Sequence, residues 1–183
     1  MSIGDAKTVG STKVEMAEVM EPQQANFLGK VFGGTILSKI DLCAYFTASK
    51  FAETICVTAS FDRVDFHSPI EVGELVTFVG LVTYVGRTSV EVTIEVFTES
   101  ILGGTKKHTN TARVTMVAIR DNKPVEVPRL ICETREDKVG FLEGRARREI
   151  RASQKEERER LFATLQLADE AELDRLLSSE KLT

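Results

Sequence analysis

The sequence predicts an α+β fold in which a long, curved antiparallel sheet wraps around one central helix, with a helical C-terminal extension. Apolar residues recur with the period of a helix over residues 33–52, and then alternate with the period of a strand in four later segments. After Pro128 the composition becomes dense in charge. The 183 residues are therefore expected to form one domain with its own core, followed by an appendage.

A strand and the central helix come first. Val14, Met16 and Val19 alternate within residues 12–20, which predicts a strand ending at Glu21-Pro22. A loop over residues 23–32 leads into a helix predicted over residues 33–52. One face of this helix is apolar, as expected for a helix buried on at least one side: Ile36, Ile40, Cys43, Ala44, Thr47 and Phe51.

The later strands are predicted at residues 55–66, 75–85, 88–100 and 108–120. Gly86 and Gly103-Gly104 mark hairpin turns between them. Glu91, Glu95 and Glu99 share one face of the third of these strands, which indicates an antiparallel sheet with one face in water. A single helix must then cover the other face of a long sheet, and that is the plan of the hot-dog fold.

Three segments are predicted: a flexible N-terminus (residues 1–11), a hot-dog domain (12–132) and a charged helical extension (133–183). In the extension, opposite charges stand four residues apart, as at Glu156 and Arg160, which is typical of an exposed helix. A second helix is predicted to begin at Asp169, with a capping box. The apolar residues of the extension either dock on the core or a neighbouring subunit, or belong to a solvated tail: Leu161, Phe162, Leu165, Leu173, Leu176 and Leu177.

Composition excludes several classes of function. The net charge of −4 and the absence of a basic patch argue against nucleic-acid binding, and no apolar run has membrane-spanning length. The three cysteines lack metal-binding spacing, so we expect reduced core thiols and no metal site. There is no G-x-S-x-G serine and no phosphate-binding loop. The first residues lack the hydrophobic region of a signal peptide, which favours a cytoplasmic location.

The segment around Gly33 and Gly34 carries the main chemical signal. A helix that begins there presents free N–H groups and the positive end of its dipole, and a ligand carbonyl can approach a backbone without Cβ closely. Asn26 precedes this turn, and Asp41 lies roughly 12 Å along the helix from Gly33. The glycine turn and the carboxylate can act on one carbon only if a second subunit supplies one of them, as in a dimer with antiparallel helices. Alternatively, the glycines only start a helix and Asp41 is solvated or ion-paired.

Three ordered motifs identify a family: Q-A-N-F-L-G-K-V-F-G-G-T-I-L-S-K-I-D at residues 24–41, V-T-A-S-F-D-R-V-D-F-H-S-P-I-E-V-G-E at residues 57–74 and V-G-R-T-S-V at residues 85–90. Over residues 12–128 the chain resembles the acyl-CoA thioesterases of the hot-dog superfamily, above all the bacterial short- to medium-chain acyl-CoA hydrolases and the brain-type cytosolic hydrolases. The resemblance implies hydrolysis of a fatty acyl-CoA to CoA and a carboxylic acid. It implies no cofactor, because CoA is part of the substrate and product.

By position, the resemblance implies that Asn26 and Asp41 are a catalytic pair from opposite subunits of a homodimer, and relatives often form trimers of dimers. Asp41 would serve as a general base, or as a nucleophile, while the N–H groups at Gly33 and Gly34 stabilise the oxyanion. Asn26 would hold the attacking water or bond to the oxyanion. Thr58 matches a threonine near the carboxylate, although a β-branched strand residue needs no such role.

The resemblance also implies a CoA contact at Arg87, Thr88 and Ser89, where a guanidinium, two hydroxyls and turn N–H groups suit a phosphate. Nothing in the sequence selects among five further candidates for phosphate contacts: Arg63, Ser68, Arg145, Arg147 and Arg148.

Two alternatives to an acyl-CoA hydrolase remain. One is a module that binds or senses acyl-CoA without turnover, and the other is a hydrolase for a different thioester, such as an aryl or carrier-protein conjugate. The presence of Asn26 with Asp41 argues against the first, because binding alone needs no carboxylate beside a thioester. A hot-dog dehydratase is disfavoured, since neither His67 nor His108 falls in the dehydratase motif. Phe32 replaces a histidine found in some relatives, as it does in the bacterial branch.

Overall fold

The computed structural model describes residues 5–62, 64, 66 and 68–179. Its elements, in chain order, are β1 (Lys7–Thr8), β2 (Val14–Val19), α1 (Gly33–Ala52), β3 (Cys56–Phe61), β4 (Glu74–Val85), β5 (Ser89–Ser100), β6 (Lys107–Arg120), β7 (Lys123–Pro124), β8 (Leu130–Ile131), α2 (Arg135–Leu167) and α3 (Glu170–Ser179). The bounds of α1 are those predicted from its apolar period.

The main sheet has the strand order β2-β4-β5-β6-β3, and every neighbouring pair in it is antiparallel. Helix α1 packs against all five of these strands. The α+β hot-dog plan is therefore confirmed. One detail differs from the simple succession of strands. β3, which follows α1 in the chain, lies at the far edge of the sheet and pairs with β6, not with β4, the next strand along the chain. It is also shorter than predicted, and Arg63, Asp65 and His67 lie outside the described residues.

The core lies between α1 and the sheet. The predicted apolar face of α1 is buried, and so are the alternate residues of β5: Val90, Val92, Ile94 and Val96. Gly80 on β4 lets the helix approach the sheet, because a Cβ there would lie 2.4 Å from the Thr47 hydroxyl oxygen. None of the described helices has the length and apolar character that a membrane crossing requires.

The chain divides into two compact units, Met1–Gly144 and Arg145–Thr183. The boundary between these units lies inside α2. The start of α2 packs on the sheet: the rings of Phe141 and Tyr84 are 5.0 Å apart, and a Cβ at Gly144 would lie 2.4 Å from that of Tyr84. The predicted division at residue 132 stays a prediction.

Residues 7–9, which belong to the segment predicted to be flexible (1–11), are hydrogen-bonded to the rest of the first unit. Strand β1 pairs in parallel with β8, so that the Lys7 and Val9 amides donate to the carbonyls of Arg129 and Ile131. Val9 is buried. In the second unit, the Asp169 side chain accepts a hydrogen bond from the Glu172 amide at 2.8 Å, which is one of the two hydrogen bonds of a capping box. Docking of the leucines in this unit stays a prediction.

Candidate active site

The start of α1 is an open hydrogen-bond donor site. The N-cap residue Phe32 supplies no side-chain cap, and neither the Gly33 nor the Gly34 amide donates to an acceptor within the described part of the chain. Gly33, at the positive end of the helix, lines a cavity of about 330 Å³, named here the Gly33 cavity; Gly34 is not among its lining residues. Its lining is mostly apolar: Asn26, Leu28, Lys30, Val31, Gly33, Ile36, Phe66, Ser68, Pro69 and Ile70.

Asn26 lines the same cavity, in a turn that fixes its amide. Its Oδ1 accepts hydrogen bonds from the backbone amides of Leu28 at 2.8 Å and Lys30 at 3.2 Å. Because backbone donors occupy the oxygen, the side-chain NH₂ is the group left to act on a ligand. The NH₂ can donate to a carbonyl oxygen or to the oxygen of a water, so both roles considered for Asn26 stay predictions.

An ion pair that sequence reasoning missed anchors this turn. The Lys30 ammonium lies 2.6 Å from a Glu71 carboxylate oxygen, and the Val31 amide donates to the Ile70 carbonyl at 2.9 Å. Both links tie the Asn26 turn to the segment before β4. The charges of Lys30 and Glu71 stand 41 residues apart, so only the tertiary structure pairs them.

Asp41 lies in a second cavity, of about 460 Å³, between α1 and β3, named here the Asp41 cavity. The Thr58 hydroxyl donates a hydrogen bond to Asp41 Oδ1 at 2.6 Å. This contact favours a functional role for Thr58 over that of a plain strand residue. The remaining lining is largely apolar: Ser38, Leu42, Tyr45, Ile55, Cys56, Val57 and Met116.

The Cys56 thiol in the Asp41 cavity is a poor nucleophile. Burial raises the pKa of Cys56 from its ordinary 9.0 to about 11, against a smaller lowering by a hydrogen bond with Ser49. The thiol is therefore protonated at neutral pH, and the thiolate is the reactive form. The carboxylate of Asp41 is left as the group that can accept a proton there.

Within one chain the two halves of the predicted site are separate. The Gly33 and Asp41 cavities share no residue among those described as lining them. The two residues are eight positions apart on α1, about 12 Å along its axis. The structure thus brings Asn26 together with Gly33, and Asp41 together with Thr58, but it does not bring these two pairs together.

A third cavity, of about 420 Å³, lies at the β4–β5 turn and is named here the Arg87 cavity. Arg87 Nη1 lies 3.8 Å from Glu126 Oε1, and the Arg87 side chain is 80% exposed. The lining comprises Ala6, Val85, Gly86, Arg87, Glu126, Val127, Pro128 and Arg129. Thr88 and Ser89 are not part of it, and their carbonyls accept hydrogen bonds from the Ala118 and Gly86 amides.

The other predicted phosphate contacts are scattered. Ser68 lines the Gly33 cavity, whereas Arg145, Arg147 and Arg148 belong to the second unit. Arg63 lies outside the described residues. Across the described ranges, no group of three or more His, Cys, Asp and Glu side chains is arranged to hold a metal ion.

Comparison with known sequences places this chain among thioesterases. The sequence profile of the Thioesterase superfamily matches residues 28–104. The uncharacterized acyl-CoA thioester hydrolase YkhA of Bacillus subtilis is 35% identical over 138 residues, which cover 75% of this chain and 80% of that protein.

Solved structures agree. An acyl-CoA hydrolase from Staphylococcus aureus, in complex with butyryl-CoA, CoA and CoA disulfide, is 30% identical and has a TM-score of 0.78, covering 87% of this chain and 98% of that one. Other structures of that enzyme carry alanine in place of an asparagine, an aspartate or a threonine, which are spaced 15 and 17 residues apart. A hexameric acyl-CoA thioesterase is 36% identical, with a TM-score of 0.79 over 82% of this chain and 97% of that one.

Proposed function

This chain belongs to the thioesterase superfamily of hot-dog acyl-CoA hydrolases, and we propose that it cleaves acyl-CoA to free CoA and a carboxylic acid in a site shared by two subunits. One observation carries the proposal. The Asp41 carboxylate, which accepts a hydrogen bond from Thr58, belongs to the same helix as the open helix start at Gly33, which lies beside Asn26. The carboxylate and the helix start nevertheless line separate cavities.

In the proposed reaction Asp41 acts as a general base. It takes a proton from water as the water oxygen bonds to the thioester carbon. The tetrahedral intermediate then collapses, the carbon–sulfur bond breaks, and the proton passes to the departing CoA sulfur. The Thr58 hydroxyl holds the carboxylate in place for the first step. The reaction consumes only water, so we propose that it needs no cofactor.

The oxyanion of the intermediate is proposed to lie at the start of α1. The Gly33 and Gly34 amides have no acceptor of their own in the described part of the chain, and Asn26 lines the same cavity as Gly33. Fixed donors of this kind stabilise charge as it develops, without reorganisation at the moment of reaction. We also propose that the attacking water lies on the opposite side of the carbonyl, nearer the carboxylate.

A homodimer would complete the site. Helix α1 exposes Leu42, Tyr45 and Phe46, and the edge strand β3 exposes Val57 while pairing on one side only within the described sheet. A second copy packed on this face, with antiparallel α1 helices, would bring Asp41 of one chain to Gly33 of the other, twice. The hexameric neighbour supports assembly beyond the dimer. The trimer of dimers and the cytoplasmic location stay predictions.

The S. aureus structures support these residue assignments. The asparagine, aspartate and threonine replaced there have the spacing of Asn26, Asp41 and Thr58 in this chain, 15 and 17 residues. That enzyme also binds CoA and butyryl-CoA. We therefore assign Asn26 to oxyanion stabilisation, Asp41 to proton transfer and Thr58 to orientation of the carboxylate.

The experiment is release of free thiol from acyl-CoAs of short to long chain by the wild type and Asp41→Asn. The amide has the shape of the carboxylate but cannot accept the proton, so we expect kcat to fall about 100-fold or more with a small change in KM. The control, Asp174→Asn on exposed α3, makes the same chemical change elsewhere and should behave as wild type. Near-normal kcat in Asp41→Asn would overturn the assignment of the base. A wild-type protein that binds acyl-CoA but never cleaves it would overturn the proposal that this chain is a hydrolase.

A further inference from the structure

A second arginine, Arg129, which neither the motifs nor the proposed mechanism uses, also lines the Arg87 cavity. Both Arg87 and Arg129 line it, together with the carboxylate of Glu126. We propose that Arg129 and Arg87 jointly hold a phosphate group of CoA, and that Glu126 is the internal anion which this phosphate displaces. The inference rests on the proposed function, since it concerns how the same substrate is held.

Backbone hydrogen bonds fix the Arg129 segment beside Arg87. The Val127 amide donates to the Arg87 carbonyl at 3.1 Å, and the Val125 amide donates to the Ala118 carbonyl at 2.9 Å. On the other side, the Lys7 amide donates to the Arg129 carbonyl at 3.0 Å, and Ala6, the residue before β1, lines the cavity. The two arginines, 42 positions apart in sequence, are therefore held at one cavity by main-chain contacts.

The register of the sheet places this cavity near Asp41. The Thr88 carbonyl accepts from the Ala118 amide on β6, and Ala118 is paired with Cys56 on β3. Cys56 lines the Asp41 cavity. Two strand spacings thus separate the β4–β5 turn from that cavity, about 10 Å. This separation suits a substrate whose thioester lies at Asp41 and whose phosphates are joined to it by the pantetheine arm.

The charges in the cavity suit a phosphate. A guanidinium offers several N–H donors in a planar fork that matches phosphate oxygens, and two forks can hold one group from both sides. Arg87 is only loosely paired in this structure, at 3.8 Å from Glu126. An exposed pair at that distance is weak. A phosphate carries more negative charge than a carboxylate, so it can displace Glu126 from Arg87.

The test compares Arg129→Gln with wild type on three substrates that share one acyl group: acyl-CoA, acyl-3′-dephospho-CoA and acyl-pantetheine. We expect KM for acyl-CoA to rise roughly tenfold with kcat unchanged, since charged hydrogen bonds are lost. The KM for acyl-pantetheine, which has no phosphate, should not change. If the effect disappears with the 3′-dephospho substrate, the 3′-phosphate is the group held. If it persists there, the group is the pyrophosphate.

The control is Lys107→Gln, which removes one positive charge at the far end of β6, about 35 Å along the strand from Ala118. It should leave KM unchanged for every substrate. Glu126→Gln provides a test of opposite sign: removal of the competing anion should lower KM for acyl-CoA about twofold or more. The proposal would be overturned if Arg129→Gln had the same KM for acyl-CoA as Lys107→Gln, or if its KM for acyl-pantetheine rose as much as its KM for acyl-CoA. A raised KM for acyl-CoA in Glu126→Gln would also overturn it. Each result is read against wild-type turnover of acyl-pantetheine, so a failed hydrolase would be recognised separately.

Discussion

Cys56 and Asp41 line the same cavity, and their surroundings suit them to different tasks. Asp41 accepts a hydrogen bond from Thr58, while Cys56 is buried at the start of β3 and its pKa is raised to about 11 by that burial. A thiol in this state packs as a small apolar side chain. The proximity of a cysteine to the proposed reacting centre therefore does not make it a catalytic residue.

This difference predicts a pH-dependent contribution of Cys56 to stability. The unfolded thiol loses its proton above pH 9, whereas the folded one keeps it up to about pH 11. The unfolded state then binds fewer protons, so the free energy of unfolding falls as pH rises through this window. Between pH 8.5 and 11, the free energy of unfolding measured in urea should fall more for wild type than for Cys56→Ala. Turnover by the variant at pH 8 should persist, and equal pH slopes for both proteins would contradict the raised pKa.

At the scale of elements, the contact of α1 with β4 depends on Gly80. The strand passes so close to the helix that a Cβ would lie 2.4 Å from Thr47 Oγ1 and 3.1 Å from Cys43 Sγ. Both of these neighbours are buried. Since α1 also carries Gly33 and Asp41, any displacement of the helix at this contact would move the site.

We therefore expect Gly80→Ala to lower the free energy of unfolding by about 1–3 kcal/mol, the usual cost of overpacking a core. Thr47→Ala in the same chain should recover part of this loss, because it removes the nearest clashing atom. Thermal unfolding of both variants measures the coupling. Gly10→Ala is the matched control, as its new Cβ would have no neighbour within 4 Å and should change stability by less than about 0.5 kcal/mol. If the double variant recovered none of the stability lost in Gly80→Ala, the clash would lie at an atom other than those of Thr47.

At the scale of the whole molecule, a shared site predicts complementation between two inactive variants. Asn26→Asp keeps the oxygen that accepts the Leu28 and Lys30 amides but removes the NH₂ donor, and Asp41→Asn removes the base. In a mixed dimer, one of the two sites would combine an intact Asn26 with an intact Asp41. Coexpression of the two variants should restore about a quarter of wild-type kcat, since half of the dimers are mixed. Activity that stays absent in purified mixed dimers would place both groups in one chain.

Sequence reasoning reached α1, β4, β5 and β6 with small errors at their ends, but it extended β3 five residues beyond Phe61. It also singled out Asn26, Gly33, Asp41 and Thr58, which the structure groups into two pairs, Asn26 with Gly33 and Asp41 with Thr58. Their catalytic roles and the second subunit stay predictions. Sequence reasoning missed the ion pair of Lys30 with Glu71 and the place of Arg129 beside Arg87 in the lining of one cavity. These pairs join residues far apart in the chain, and no local period or motif connects them.

The sequence by itself determined which residues form each long element and which face of it is buried, because the apolar period is a local property of the chain. Only the tertiary structure decided that β3 crosses to the edge beside β6, which brings Thr58 to Asp41. It also decided that β1 pairs with β8, where a flexible N-terminus was expected. Strand partners are chosen by packing and backbone hydrogen bonds summed over the whole fold. Residues 7 and 130 carry no local sign that they will meet.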